Sequence, residues 1–229
     1  MKQFIVYTAI SRGYDDLKPA LDIWKGEADF VAFLDDRTSS PDWIIRPIHR
    51  EFRDPCRNAK LHKVMPHLFF PKASYSLWVD GSVQLVSTLP LDQWIMTYLS
   101  DCDFAVFKHR RTCIYQEAAE CKRRKLDDVA VIDRQMQQYL QEGYPKNNGL
   151  AECTVLLRRH TDQVVRFNEL WWEQICKHSR RDQLSFNFSA NRIGLKFLYF
   201  PWSIQKNPHF LRTRHKGSRH QSMNVHEIV

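Results

Sequence analysis

A carboxylate follows directly after a short apolar run in residues 75–85 of the sequence. The run 77–79, Leu-Trp-Val, predicts a buried strand of the kind found inside a parallel sheet, and Gly81 lets the chain turn directly after Asp80. In open α/β sheets ligands bind beyond the carboxyl ends of the strands, which is where Asp80 would lie. A carboxylate at that edge suits a hard divalent cation, which in turn would hold phosphate groups. The alternative is that Asp80 only caps a turn, because Asp-Gly is a common turn sequence.

Three cations surround a predicted helix start further upstream. Asp54 is a good N-cap and Pro55 a good first helical residue, so a helix is predicted to begin there. Arg53 precedes this helix, and Arg57 and Lys60 lie three residues apart on one of its faces. A helix N-terminus with flanking cations is a natural phosphate site. A solvated basic face is the alternative interpretation.

A second basic segment lies near the C-terminus, at residues 206–220. It contains five Lys or Arg residues, three histidines and no acid. Two interpretations stay open: a disordered basic arm, or a flap that folds over an anionic ligand and supplies a histidine to a metal.

Composition limits the class of protein. The chain has 229 residues, 43% of them hydrophobic, which is enough for a substantial core and argues against disorder. The net charge of +8 indicates an anionic partner: nucleic acid, an acidic membrane surface or a phosphorylated substrate. No apolar run approaches the roughly 20 residues that a membrane span needs. Residues 4–7 are interpreted as a first strand rather than a leader, and the six cysteines have no CxxC pair, so a cytoplasmic protein with free thiols is predicted.

Apolar runs and helical stripes alternate along the chain, which predicts an α/β sheet with right-handed crossovers. The predicted strands are 4–10, 29–34, 43–45, 77–79, 104–107 and 154–157, and regular structure is predicted to end with 195–200. The predicted helices are 17–24, 54–67, 89–99, 113–125, 128–141, 162–178 and a short one after 179. The charged helix 113–125 is interpreted as solvent-facing.

Six stretches, in order over nearly the whole chain, resemble a known family: the glycosyltransferase-like domain family of plant mucilage-related and turgor-related proteins and of many bacterial proteins. The stretches are 7–15, 53–60, 77–85, 105–109, 152–160 and 179–186. The resemblance implies an α/β, GT-A-like fold: a Rossmann-type, mostly parallel sheet flanked by helices in a single domain. We place this domain at 1–205, with 206–229 as a basic tail and candidate active-site lid.

The resemblance also implies site residues. The metal-binding Asp-x-Asp motif of this fold would be residues 80–82, where Ser82 replaces the second carboxylate. Mn²⁺ or Mg²⁺ is the expected cofactor, with a histidine from near the C-terminus as an added ligand, His215 first and His209 second. Asp182 and Gln183 are the expected catalytic residues. The expected donor-binding residues are Thr8, Ser11, Arg12, Arg53, Arg57, Lys60, Asp80, Gly81, Ser82, Lys108 and His109.

The predicted function is therefore glycosyl transfer from a nucleotide-sugar donor, a UDP-sugar by preference, to a saccharide or glycoconjugate hydroxyl, as in surface-polysaccharide synthesis. A nucleic-acid-binding protein is the alternative that the charge suggests. It requires aromatic residues interleaved with basic ones on an exposed face, whereas most aromatics here fall in predicted strands and helical stripes. A third interpretation is an inactive domain that binds sugar nucleotide, because Ser82 stands where the motif has its second aspartate. No nucleic-acid partner and no membrane span are expected, and peripheral membrane contact stays open.

Overall fold

The apolar runs of the sequence become the strands of the fold. The computed structural model describes residues 1–35 and 38–215. The strands are β1 (Phe4–Ile10), β2 (Ala28–Leu34), β3 (Ile44–Pro47), β4 (Tyr75–Val79), β5 (Val83–Leu85), β6 (Phe104–Lys108), β7 (Ala151–Arg159), β8 (Leu198–Tyr199) and β9 (Phe210–Arg212). Seven of them form one sheet in the order β3-β2-β1-β4-β7-β6-β8, and β5 pairs with β9 in a small antiparallel sheet.

The strand order reverses at β1. Its neighbours β2 and β4 both run parallel to it, while β7 is antiparallel to β4 and β6. The carboxyl ends of β1, β4 and β6 therefore meet the amino end of β7 at one edge of the sheet. Ligands bind at such a reversal in open α/β sheets. The predicted α/β fold, a Rossmann-type, mostly parallel sheet flanked by helices in a single domain, is confirmed by this topology.

Helices cover both faces of the sheet. They are α1 (Pro55–Val64), α2 (Pro66–Phe69), α3 (Leu91–Leu99), α4 (Ile114–Arg123), α5 (Val129–Gln141), α6 (Asp162–Lys177) and α7 (Gln183–Ile193). Local chemistry sets several of their ends. The Asp54 side chain accepts a hydrogen bond from the Cys56 N–H at the start of α1, and Gly194 ends α7 with a φ of 68°, which favours glycine. None of the described helices is long and apolar enough to cross a membrane.

Successive side chains of β1 point to opposite faces of the sheet, so each face carries its own part of the hydrophobic core. Val6 packs on the face that α3 covers, with the buried Trp24 and Trp94. Tyr7 packs on the face that α1, α6 and α7 cover, together with Trp171. A third buried cluster joins α4, α5 and α7.

Four sequence predictions about regular structure were wrong. The helix predicted at 17–24 is only a 3₁₀ turn, Asp22–Trp24. The helix predicted at 54–67 divides into α1 and α2, because Pro66 cannot donate to the preceding turn. Regular structure does not end at 200, since β9 follows. The α4 helix is not simply solvent-facing, because α5 and α7 pack against it.

Part of the predicted tail lies against the body of the domain. In β9, Phe210 is opposite Leu85 of β5 and is buried. The Thr213 backbone N–H donates to the Ser82 carbonyl at 2.8 Å. Residues 216–229 lie outside the described residues, and the division of the chain at 205 stays a prediction.

Candidate active site

Asp80 lies at the strand edge where the sequence predicts it. Its backbone N–H donates to the Thr154 carbonyl at 2.9 Å, which joins the end of β4 to β7. Its Oδ1 accepts from Trp78 Nε1 at 2.7 Å and from Lys63 Nζ at 3.1 Å. The Asp80 side chain remains 29% exposed, so a carboxylate held in one orientation still faces the edge of the sheet.

Lys63 of α1 connects Asp80 to a second carboxylate. Its Nζ is 2.7 Å from Asp182 Oδ2, and Lys60 Nζ is 2.7 Å from Asp182 Oδ1. The Lys63 side chain is only 5% exposed. The sequence predictions named Lys60 and Asp182 but missed Lys63. Its position three residues after Lys60, on the same helix face, was the available signal.

The charges of Asp182 and Lys63 stabilise each other. Burial by itself would raise the pKa of Asp182, but Lys60, Lys63 and Arg181 outweigh burial and hold that pKa well below its usual range. Burial likewise opposes the charge of Lys63, but Asp182 and Asp80 outweigh it and raise the pKa of Lys63. A carboxylate with so low a pKa is a weak proton acceptor, so this geometry favours Asp182 as the residue that positions the lysines. Its catalytic role stays a prediction.

The other predicted catalytic residue, Gln183, begins α7. Its side-chain amide contacts Arg181 Nη2 at 3.2 Å and the Ala151 carbonyl at 3.4 Å. Gln183 therefore connects the Asp182 segment to the start of β7, and its catalytic role also stays a prediction.

Glu152 of β7 is a third carboxylate at this edge. Its Oε2 lies 3.4 Å from His109 Nε2, and its Oε1 lies 3.9 Å from Arg212 Nη1. Burial raises the pKa of Glu152, and the negative charge of Asp80 adds to that rise. Burial lowers the pKa of His109. The predicted site set missed Glu152, although an acid at the start of an apolar strand was a visible signal.

The turn after Asp80 packs against a loop that the sequence predictions did not use. A Cβ on Gly81 would lie 2.9 Å from the Cβ of Asp15, so the close approach of the two segments requires glycine. Asp15 Oδ2 lies 3.0 Å from His215 Nδ1. This hydrogen bond, together with the charges of Asp15 and Asp80, raises the pKa of His215. His215 therefore lies near the turn that carries Asp80, and its role as an added metal ligand stays a prediction.

His209, the second histidine candidate, has different surroundings. Its ring nitrogens lie 3.0 Å from Ser87 Oγ and 3.1 Å from Tyr98 OH, and its ring packs against Trp94. Burial lowers its pKa. The structure places His209 in a buried aromatic cluster and shows no contact between it and a carboxylate among the described residues.

The remaining predicted donor-binding residues come from several elements of the fold. Thr8 is buried in β1, and Arg12 has a left-handed φ of 53° while its N–H donates to Asp35 Oδ2 at 2.6 Å. Ser11, also in this loop, is half-buried; Arg53 and Lys108 are exposed. Arg57 contacts Asp54 Oδ2 at 3.3 Å and donates to the His178 carbonyl at 3.0 Å, so it joins the start of α1 to the end of α6. Their role in donor binding stays a prediction.

A groove of about 670 Å³ lies at the carboxyl ends of β2 and β3. Asp35, Arg46 and Arg50 are among its lining residues. This volume falls within the range of about 300–1,000 Å³ that is typical of small-molecule sites.

The donor set at Asp80 fits a hard divalent cation in chemical type. Across residues 1–35 and 38–215, no three His, Cys, Asp or Glu side chains form a ready metal cluster. Ions such as Mg²⁺ are commonly held by one or two carboxylates together with substrate phosphates. Asp80, with Asp15 and His215 beside its turn, could supply the protein's share of such a site.

The chain matches a known sequence family and is similar to two plant proteins. Residues 42–208 match the sequence model of a family described as TOD1/MUCI70, glycosyltransferase-like domain. The chain is 29% identical over 226 residues to the probable hexosyltransferase MUCI70 of Arabidopsis thaliana, an alignment that covers 86% of this chain and 39% of that protein. It is 24% identical over 226 residues to the alkaline ceramidase TOD1 of the same plant, covering 84% of this chain and 49% of that protein. The chain thus spans less than half the length of either relative.

Among solved structures, the chain is similar to the core-mannan synthase A of Aspergillus fumigatus in a Mn/GDP form, at 8% identity and a TM-score of 0.46, covering 83% of this chain and 70% of that one. It is also similar to the bifunctional glycosyltransferase WbbM, at 10% identity and a TM-score of 0.45, covering 87% of this chain and 38% of that one. Likeness at this level does not carry a function to the present chain.

Proposed function

Because the chain belongs to the TOD1/MUCI70 glycosyltransferase-like domain family, we propose that it transfers a hexose from a nucleoside diphosphate sugar to a hydroxyl acceptor. The observation that carries the proposal is the cluster of Lys60, Lys63, Asp80 and Asp182. It joins two buried or half-buried lysines to two carboxylates at the edge where the strand order reverses.

The chemistry of glycosyl transfer explains such a cluster. Breaking the anomeric bond leaves negative charge on the departing diphosphate, and fixed cations beside that group stabilise the transition state. Lys60 and Lys63 are held in place by Asp182, so little reorganisation is needed when a diphosphate binds. The groove beside Asp35 is large enough for the nucleoside part of the donor.

The proposal includes a divalent cation, Mn²⁺ or Mg²⁺, with Asp80 as its first ligand. When bound, such an ion would neutralise charge on the diphosphate. Ser82 offers only a hydroxyl where the motif has a carboxylate, and the structure places Asp15 and His215 next to the same turn. We propose that Asp15 and His215, together with donor phosphates, compensate for the missing carboxylate.

A UDP-sugar donor, a role in polysaccharide or glycoconjugate synthesis and a cytoplasmic location are further parts of the proposal. The two plant relatives differ in what their names describe, a hexosyltransferase and a ceramidase, so ceramide is tested as a competing substrate. Nucleic-acid binding is less well supported, because the aromatic side chains that it would need are mostly buried in the core.

Calorimetry with UDP and GDP, each with Mn²⁺, with Mg²⁺ and with a chelator, tests the proposal. We expect nucleoside diphosphate to bind with a clear preference for metal, and the protein to release UDP or GDP from a nucleotide sugar when a saccharide acceptor is added. Parallel arms use a single-stranded oligonucleotide and a ceramide. Binding of oligonucleotide alone, or release of fatty acid from ceramide without nucleotide binding, would overturn the proposal.

A further inference from the structure

Glu152, the second residue of β7, lies between two parts of the proposed donor site. The carbonyl of the residue before it, Ala151, accepts from the side-chain amide of Gln183 at 3.4 Å. Two residues after Glu152, the Thr154 carbonyl accepts from the Asp80 backbone N–H at 2.9 Å. The start of β7, with Glu152, therefore lies between the start of α7 and the turn after β4.

The pairing of β6 with β7 is irregular at this position. Val106 is opposite Leu156, and the register then shifts so that Phe107 is opposite Glu152. Regular antiparallel pairing would instead place Val155 opposite Phe107. Such irregularities change the direction of side chains and are common beside functional sites. The shift therefore puts a carboxylate where regular pairing would put an apolar side chain.

His109, directly after β6, faces one oxygen of the Glu152 carboxylate. The Arg111 backbone N–H donates to His109 Nδ1 at 3.0 Å, so Nδ1 is an acceptor and the proton of the neutral ring is on Nε2. Nε2 lies 3.4 Å from Glu152 Oε2 and 3.8 Å from Glu117 Oε2. Burial lowers the pKa of His109, which favours this neutral ring. His109 thus presents its N–H to the two carboxylates.

The other oxygen of Glu152 faces β9. Oε1 lies 3.9 Å from Arg212 Nη1, which is longer than a hydrogen bond. Arg212 is opposite Val83 of β5, and the Val83 N–H donates to the Asp80 carbonyl at 2.8 Å. The Glu152 side chain is 14% exposed. An ionised carboxylate has about four lone-pair sites, so Glu152 retains acceptor capacity for hydroxyl groups of a ligand.

The order of the strands matches the order of groups in a nucleoside diphosphate hexose. The groove lies at the carboxyl ends of β2 and β3, Asp80 follows β4, and Glu152 and His109 belong to the next two strands, β7 and β6. Neighbouring strands are about 4.8 Å apart. With the nucleoside in the groove and the diphosphate at Asp80, the hexose would extend over the ends of β7 and β6, beside Glu152.

We propose that Glu152 binds hydroxyl groups of the transferred hexose and so determines which hexose the protein accepts, with His109 as the residue that positions its carboxylate. This inference rests on the proposed function. A hexose that does not place a hydroxyl at Glu152 leaves a largely buried carboxylate without its partner, and such a loss discriminates strongly between substrates. Asp182 is less suited to this role, because Lys60 and Lys63 already occupy both of its oxygens.

Calorimetry with Mn²⁺ tests the inference. It compares UDP with UDP-glucose and UDP-galactose, two donors that differ in the configuration of a single hydroxyl, and GDP with GDP-mannose. We expect Glu152→Gln to weaken binding of the preferred hexose donor by about tenfold, the loss of one charged hydrogen bond, and to leave the affinity for the nucleoside diphosphate unchanged. The preference between the glucose and galactose donors should fall as well.

The outcomes separate this inference from the proposed function. Equal changes in the affinities for hexose donor and nucleoside diphosphate, or no change in either, would overturn the role of Glu152 and leave the proposed function intact. A wild-type protein that binds none of these nucleotides would overturn the proposed function and this inference with it. If Glu152→Gln does not fold, Glu152→Asp, which shortens the side chain by one methylene, decides by the same comparison.

Further variants provide the controls. Glu120→Gln removes a carboxylate of α4 that pairs with Arg111 and Arg123, and it should keep every affinity. His109→Ala should reproduce the selective loss of hexose-donor affinity. His109→Gln keeps a side-chain N–H donor and should recover part of that affinity. Equal affinities in the two His109 variants would contradict the positioning role of His109.

Discussion

The ammonium nitrogen of Lys63 lies 3.1 Å from Oδ1 of Asp80, although the two residues are 17 positions apart in the sequence. One residue comes from α1 and the other from the turn after β4. The contact brings a permanent cation to the one carboxylate that the sequence marks most clearly. It also makes Lys63, rather than Arg57, the central cation of the proposed donor site.

Replacing Lys63 by Met should weaken both folding and nucleotide binding. The change leaves Asp182 buried with one cation fewer, and breaking a buried pair in this way typically costs about 3–5 kcal/mol of unfolding free energy. Urea denaturation measures the first effect and UDP calorimetry the second. Lys72→Met, at an exposed position, is the control. Unchanged UDP affinity in a folded Lys63→Met protein would remove Lys63 from the donor site.

Asp80→Ala should abolish the metal-dependent part of nucleotide affinity. The Asp80 side chain is partly exposed and Lys63 keeps its pair with Asp182, so the thermal midpoint should fall only modestly. UDP binding is compared with Mn²⁺ and with chelator. A variant that keeps the full Mn²⁺ preference would show that the metal ligands lie elsewhere.

Lys60→Ala and Arg57→Ala should differ in their effect on UDP binding. Lys60 is one of the two lysines that Asp182 holds in the proposed donor site. We therefore expect its loss to weaken UDP binding by about 1–3 kcal/mol, the range for charged hydrogen bonds. Arg57 joins α1 to the end of α6, so its loss should mainly lower the thermal midpoint. If Arg57→Ala instead weakens UDP binding at an unchanged midpoint, Arg57 contacts the donor as the sequence predicts.

Acid stability should depend on Asp182. Its folded-state pKa is depressed, so its ion pairs contribute their full stability above the unfolded pKa of about 3.9 and lose it progressively as the pH falls below that value. Asp182→Asn should lower stability at neutral pH and flatten the dependence of unfolding free energy on pH below about 4. Urea titrations between neutral pH and the acid limit measure both. An equally steep acid limb in the variant would assign the effect to other carboxylates.

Two truncations divide the predicted tail. Removing 206–229 takes away β9 with the buried His209 and Phe210, so the protein should lose several degrees of thermal midpoint. Removing 216–229 leaves every described residue in place. If these last residues act as the proposed lid, the shorter truncation should weaken nucleotide binding in the presence of Mn²⁺. Equal affinity with and without 216–229 would contradict the lid.

Much of the fold could be predicted from local patterns. Continuous apolar runs are buried strands whatever their partners, so β1, β2, β4 and β6 were placed to within a few residues. The N-cap at Asp54 and the turn after Asp80 follow from side-chain and backbone chemistry within a few residues of chain. Local patterns failed where distant segments decide the outcome, as for α4, whose charged sequence is partly covered by α5 and α7.

Local sequence patterns are enough to predict the α/β class, the strand end that carries Asp80 and the cationic helix that precedes it, because each depends on periodicity or on neighbouring residues. Which charged side chains form ion pairs depends instead on how the chain folds. Lys63 of α1 pairs with Asp182 at the start of α7, far away in the chain. Asp15 in the loop after β1 likewise pairs with His215 after β9. Each pair forms because the sheet brings these segments to one edge. Ion pairing acts over a few ångströms, so no pattern along the chain could show which carboxylate each cation would find.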